Sequence, residues 1–188
     1  MPSSGPNSCG TGTNVTGVGT IGWSNPTNIY TSNDARATIN LPTSATSNYL
    51  QATNFGFSIP NGSTIDGIEV LIERRKSGTS SANPIDNIIK LVKGNVIGGT
   101  NKSAGVNWVN TIDQTFTFGS SSDLWGNTLT VSDVNASDFG VALSVSWVGD
   151  KFSPGRPEVD HIQITVHYTT GGGGGGPTNT SALLMVGD

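Results

Sequence analysis

The chain has little charge. Asp, Glu, Lys and Arg make up 12% of its 188 residues, about half the share of an ordinary soluble domain. The net charge is −4. Binding to phosphate backbones needs a basic patch, and the one basic cluster, Arg74-Arg75-Lys76, reads as a solvated strand end or turn, so nucleic acid is excluded as a partner. Cysteine occurs once, as Cys9, which rules out an intrachain disulfide. Placed in an N-terminal arm, Cys9 reads as incidental, with an intermolecular crosslink as the alternative. No apolar run approaches ~18 residues, so no membrane insertion is expected. Met1-Pro2-Ser3-Ser4-Gly5 shows neither a charged nor an apolar leader region, so no signal peptide is visible. This fits a virion surface component assembled inside a cell, and equally an extracellular chain in its mature form.

Chemistry-bearing residues are also scarce. The two histidines, His161 and His167, alternate onto the outer face of one strand, roughly 20 Å apart along it, too far to share a metal or a proton. Glu69 and Glu73 share a strand face at roughly 13 Å, too wide for a glycosidase acid pair. There is no Gly-x-Ser-x-Gly elbow and no phosphate loop. The turn Asp133-Val134-Asn135-Ala136-Ser137-Asp138 offers oxygen ligands but lacks the register of a calcium loop, and reads as a capped turn. The expectation is a non-enzymatic protein with no cofactor and no resident metal.

What the chain has in quantity is Gly, 26 residues, together with Ser, Thr and Asn. Runs of period-two alternation are separated by turn chemistry. Ala35 to Leu41 alternates up to Pro42, and Asn54 to Ile59 up to Pro60-Asn61-Gly62. Thr64 to Arg74 puts Ile68, Val70 and Ile72 on one face and Glu69, Leu71 and Glu73 on the other. Further strand signals cover Asp86 to Lys93, Asp113 to Phe118, Phe139 to Trp147 and Asp160 to Tyr168. No stretch has helical periodicity beyond one turn around Ser132–Asn135, capped by Ser132 or Asp133. About eight strands without a long helix predict an all-β, antiparallel β-sandwich of jelly-roll or immunoglobulin-like topology. The predicted organisation is an extended N-terminal arm over 1–33, a sandwich over 34–169, and a glycine-rich linker with an apolar terminus over 170–188.

Three features point to binding or assembly. The Phe139–Trp147 strand carries only Gly, Ala and Ser on its second face, which either admits another sheet or chain or lies under its own loops. Trp108 and Trp125 sit among Asn and Gly; such rings commonly cover the ends of a sandwich, and exposed ones stack on sugars. Trp23, Trp147, Tyr30, Tyr49 and Tyr168 complete the set of candidate rings. Asn14, Asn61, Asn101, Asn135 and Asn179 lie in glycosylation sequons, which matter only where the source glycosylates. At the C-terminus, Gly171 to Gly176 form a tether followed by Ala182-Leu183-Leu184-Met185-Val186. A tethered strand of this length can complete the sheet of a neighbouring copy, each buried side chain contributing about 1.5–3 kcal/mol before ordering costs.

The central region resembles a recurrent β-sandwich module of tailed-phage virion proteins and some bacterial surface proteins. The residues that carry the resemblance are Asn54–Pro60, Ile65–Arg74, Lys90–Lys93, Ser122–Gly126, Asn135–Leu143 and Val159–Val166, spanning about 48 to 169. The resemblance implies a virion structural role, as a capsid decoration, fibre or tail component. Its partners would be copies of itself and other virion proteins, and it implies no catalytic residues. The alternatives are a filament subunit joined by strand exchange, with Ala182 to Val186 as the connector, and a carbohydrate-binding or adhesion module contacting surface glycans through Trp108 and Trp125.

Overall fold

The computed structural model describes residues 1–42, 44–78, 83–108, 111–147 and 155–171. Among the described residues ten strands form the fold: β1 (Ser3–Ser8), β2 (Thr11–Val15), β3 (Ala37–Thr38), β4 (Tyr49–Thr53), β5 (Thr64–Ser77), β6 (Ile85–Lys93), β7 (Val96–Gly98), β8 (Gln114–Gly119), β9 (Gly140–Ser146) and β10 (Arg156–Thr169). A 3-10 turn at Pro26–Ile29 and one short helix, α1 (Val131–Asn135), interrupt them.

The strands pair antiparallel into two sheets, β1-β10-β5-β8 with β3 also on β10, and β2-β4-β9-β6-β7. With the accessory β2 and β3 set aside, the remaining eight fall in chain order as 1-8-3-6 and 2-7-4-5. That is the strand order of a jelly roll, which decides against the immunoglobulin-like alternative. The spine is the β5–β10 pair, in register from Thr64↔Thr169 to Ser77↔Arg156 with two irregularities. The predicted alternation holds: Ile68, Val70 and Ile72 of β5 and Ile162, Ile164 and Val166 of β10 point inward. They meet Leu50, Ile89, Leu91, Val141, Leu143 and Val145 from the other sheet, all buried.

Several expectations are corrected. The extended arm expected over 1–33, with at most short strands, does carry two short strands, but they are built into the sandwich: β1 pairs with β10 and β2 with β4, one strand in each sheet. Edge strands such as Ser-Ser-Gly-Pro-Asn-Ser bury little apolar surface, so they carry no hydrophobic pattern to read. Cys9, between these two strands, is buried in the core beside Ile29, to whose carbonyl its thiol donates at 3.5 Å. Burial pushes the thiol up to about 12.

Asn54 to Ile59 buries Phe55, Phe57 and Ile59 as their alternation implies, but it joins no ladder. Asn54 and Gly56 take φ of 60° and 66°, which breaks the extended run. Its backbone is satisfied instead by a side chain: Ile59 N–H donates to Asn135 Oδ1 at 2.8 Å, and Asn135 Nδ2 donates to the Ile59 carbonyl at 2.9 Å. The helical turn is present, but its cap is Thr130, in a reciprocal box with Asp133.

Arg74-Arg75-Lys76 is not a solvated strand end. Arg74 is 2% exposed and Lys76 4%. Both continue the inward parity of Ile68, Val70 and Ile72. Arg74 pairs with Asp86 of β6, and its guanidinium carbon sits 4.0 Å from the Phe116 ring centre and 4.5 Å from that of Trp108. Burial pushes the Asp86 carboxyl up and the Arg74 guanidinium down, and each partner's charge opposes that shift in the other.

Candidate binding face

The outward face of β2-β4-β9-β6-β7 is built by the strand that carries Gly, Ala and Ser opposite its core residues. Register sets three rows across this sheet. Thr11, Thr53, Gly140, Val92 and Ile97 form the first. Thr13, Gln51, Ala142 and Lys90 form the second. The third takes Val15 and Tyr49 on one side and Ser144 and Ile88 on the other. Ala142 and Ser144 are 0% exposed although they lie outside the core cluster. The longer side chains flanking them in register therefore close over the middle strand. Tyr49, Gln51, Ile88 and Lys90, all half-buried, form the surface that remains.

At the first-row end the face opens into a hollow of about 700 Å³, lined by Thr11, Thr53, Asn54, Asn95, Ala136, Ser137 and Asp138. Two backbone features shape it. Asn54 and Asn95 both take left-handed φ, 60° and 63°, at the ends of β4 and of the β6–β7 turn. The Asn54 N–H donates to the Ser137 carbonyl at 2.9 Å, and Asn95 Nδ2 donates to Asp138 Oδ2 at 3.3 Å. The lining is mostly hydroxyl and amide, with one carboxylate and the methyl of Ala136. Tyr49 lies four residues from Thr53 along β4, about 13 Å away. Burial pushes its phenol up.

The sequence-selected tryptophans are elsewhere. Trp108 is 3% and Trp125 0% exposed. Trp108 Nε1 donates to Asp86 Oδ1 and Trp125 Nε1 to the Ile68 carbonyl, each at 2.9 Å. Both rings close the sandwich, and neither presents a face to a sugar, which corrects their assignment as glycan contacts. Trp23 and Trp147 are buried as well.

His161 and His167 lie on the other sheet. His161 Nε2 is 2.8 Å from Ser8 Oγ of β1, so it is less exposed than its strand parity implied. Burial pushes its imidazole down, with Glu73 and Asp160 acting in the opposite direction. The assembly residues Ala182, Leu183, Leu184, Met185 and Val186 lie outside the described residues. The last described residue, Gly171, packs so closely on the Pro60–Gly62 turn that a Cβ there would stand 2.3 Å from the Gly62 carbonyl oxygen.

Tyr49 and the Gly-Ala-Ser face were both visible in the sequence. Asp138 was visible as part of the oxygen-bearing Asp133–Asp138 turn, but Asn95 and its pairing with Asp138 had no such signal, since they meet only when the β6–β7 turn folds beside the segment before β9.

No family model and no curated protein matches the chain. Among solved structures, a chain described as "BiXyn10A CBM1 APO" superimposes with a TM-score of 0.41 at 12% identity, over 82% of this chain and 89% of that one.

Proposed function

We propose that this chain is a non-enzymatic binding module that takes a neutral, hydroxyl-rich ligand, a glycan chain, on the outward face of β2-β4-β9-β6-β7. The hollow beside β4 carries the reading. Its lining pairs hydroxyls and amides, which both donate and accept, with a single carboxylate. Such a lining suits a ligand that is itself hydroxyl-rich, and it offers little to an anion or an apolar body. Among the described residues Tyr49 supplies the one aromatic ring on the same face, placed where the far end of a short oligosaccharide would reach.

The test is affinity electrophoresis through gels containing neutral soluble polysaccharides, followed by calorimetry on any that retard the protein. Tyr49→Ala and Asp138→Ala should each weaken binding about tenfold, the loss ordinarily seen when a central contact is truncated. Trp108→Phe should leave it unchanged if the fold survives. Undiminished retardation of both face variants would refute the assignment of this face.

A second reading is an assembly subunit, either in the phage-virion setting that the resemblance implies or in a filament joined by strand exchange. It is favoured by the sequence of the C-terminus, a hexaglycine tether before Ala182–Val186. Light scattering of the full chain beside a version ending at Thr170 tests it. Assembly lost in a folded truncation supports the connector; equal masses for the two refute it.

A further inference from the structure

A second candidate site lies at the opposite sheet, where three carboxylates from distant parts of the chain converge. Asp34 follows the 3-10 turn, Asp113 precedes β8, and Asp160 sits in β10 at the irregularity between Val159 and His161. One oxygen from each lies within 4.8 Å of the others. Oxygens bound to one calcium ion at about 2.3–2.6 Å lie no more than about 5 Å apart, so this spread is within the range that one ion can bridge.

Asp160 supplies the independent observation. It is 1% exposed, and only one of its oxygens is satisfied: Oδ2 accepts the Asp34 N–H at 3.1 Å, while Oδ1 has no hydrogen-bond partner. A buried carboxylate oxygen without a partner is costly, and the usual remedies are a donor or a metal. Asp160 lies at the register irregularity of β10, outside the regular pairing with β5 on either side of it.

Arg36 compensates part of this charge. Its Nε donates to Asp113 Oδ1 at 3.2 Å, its Nη1 to the Asp34 carbonyl at 2.8 Å, and its Nη2 to both the Asp34 and Asp113 carboxylates. None of these bonds reaches Asp160 Oδ1. The three acids and Arg36 together sum to −2, the complement of one divalent cation.

We infer that Asp34, Asp113 and Asp160 form a calcium site, which ties the loop before β3 and the loop before β8 to the centre of β10. All three donors are hard oxygens, and Asp34, with its side chain 82% exposed, leaves an approach from solvent. The site is independent of the glycan face, which lies on the other sheet.

The experiment is thermal unfolding of the full chain, stripped with chelator and then titrated with calcium chloride, against sodium chloride at matched ionic strength. At about a hundredfold excess of calcium over its dissociation constant the midpoint should rise by about 5–10 °C. Asp160→Asn should abolish the rise. Asp34→Asn, an exposed change that leaves the core untouched, should shift the calcium titration about tenfold to higher concentration, and it decides the matter alone if Asp160→Asn fails to fold. No rise by about 10 mM calcium, above the range of extracellular calcium modules, would overturn the inference. So would an equal rise with sodium chloride, or an unchanged titration in Asp34→Asn.

Discussion

Replacing Asp86 with Ala should be among the most damaging single changes in this protein. Asp86 and Arg74 form an ion pair whose side chains are 1% and 2% exposed. The carboxylate also accepts Trp108 Nε1 at 2.9 Å, and the guanidinium is boxed by Trp108, Phe116 and Phe118. Removing the acid leaves a buried cation with aromatic faces and no anion, a loss of about 3–5 kcal/mol. For a domain of this size that lowers the midpoint by about 6–20 °C. The pair is itself incompletely satisfied, since Arg74 Nε and Nη2 and Asp86 Oδ2 have no partners. An apolar replacement of both residues, Arg74→Met with Asp86→Leu, should therefore recover most of the loss and come close to the parent. The assay is urea unfolding followed by circular dichroism, on the two single variants and the double. A cost below about 1 kcal/mol for Asp86→Ala, the level of an exposed pair, would refute the argument. A double variant worse than both singles would refute it too.

Three further outcomes follow from other parts of the structure. Burial raises the Glu158 carboxyl, but hydrogen bonds from Arg75, Arg156 and Ser77 outweigh it and hold the group below its ordinary 4.5. Its folded-state value is thus lower than its unfolded one, so its contribution is present above about pH 4.5 and lost as the pH falls through the folded value; Glu158→Gln should flatten unfolding free energy measured across that window. Cys9, with its thiol pushed up to about 12 and 3% exposed, should not react with a thiol reagent at pH 8 until the chain is unfolded in urea; fast labelling of the native protein would contradict its place in the core. Asn135→Ala should cost about 1–3 kcal/mol by thermal melt, because it strips both backbone groups of Ile59 of their partner.

The legible parts of this fold are those where one strand face is apolar and the other polar. β5, β9 and β10 show that pattern, and their inward residues are the ones predicted, except that on β10 Thr165 is buried and Tyr168 only half-buried. The segments that escaped recognition obey a different physics. β1 and β2 are held by ladder hydrogen bonds to β10 and β4 rather than by buried side chains, so Ser, Thr, Gly and Asn serve and leave no period to detect. Asn54–Ile59 has the period without the ladder, because two left-handed residues redirect it and an asparagine side chain takes over the bonding.

Arg74 is the instructive case, because its position was available from parity: an even-numbered residue after Ile68, Val70 and Ile72 belongs inside if the strand continues. Its charge suggested that the strand had ended there, yet β5 runs on to Ser77. What resolves the conflict is Asp86, which lies on the opposite sheet and is unpredictable from spacing. The acids near β10 follow the same rule. Asp34, Asp113 and Asp160 are separated by 79 and 47 positions and meet only in the folded chain, with Asp160 at a register irregularity of β10 that has no sequence signature. In this chain strand periodicity can be read from the sequence. Its buried charges and its candidate sites depend on pairs formed across sheets and loops, which is why Tyr49 and the oxygen-bearing Asp133–Asp138 turn could be named in advance and the partners of Asp138, Asp86 and Asp160 could not.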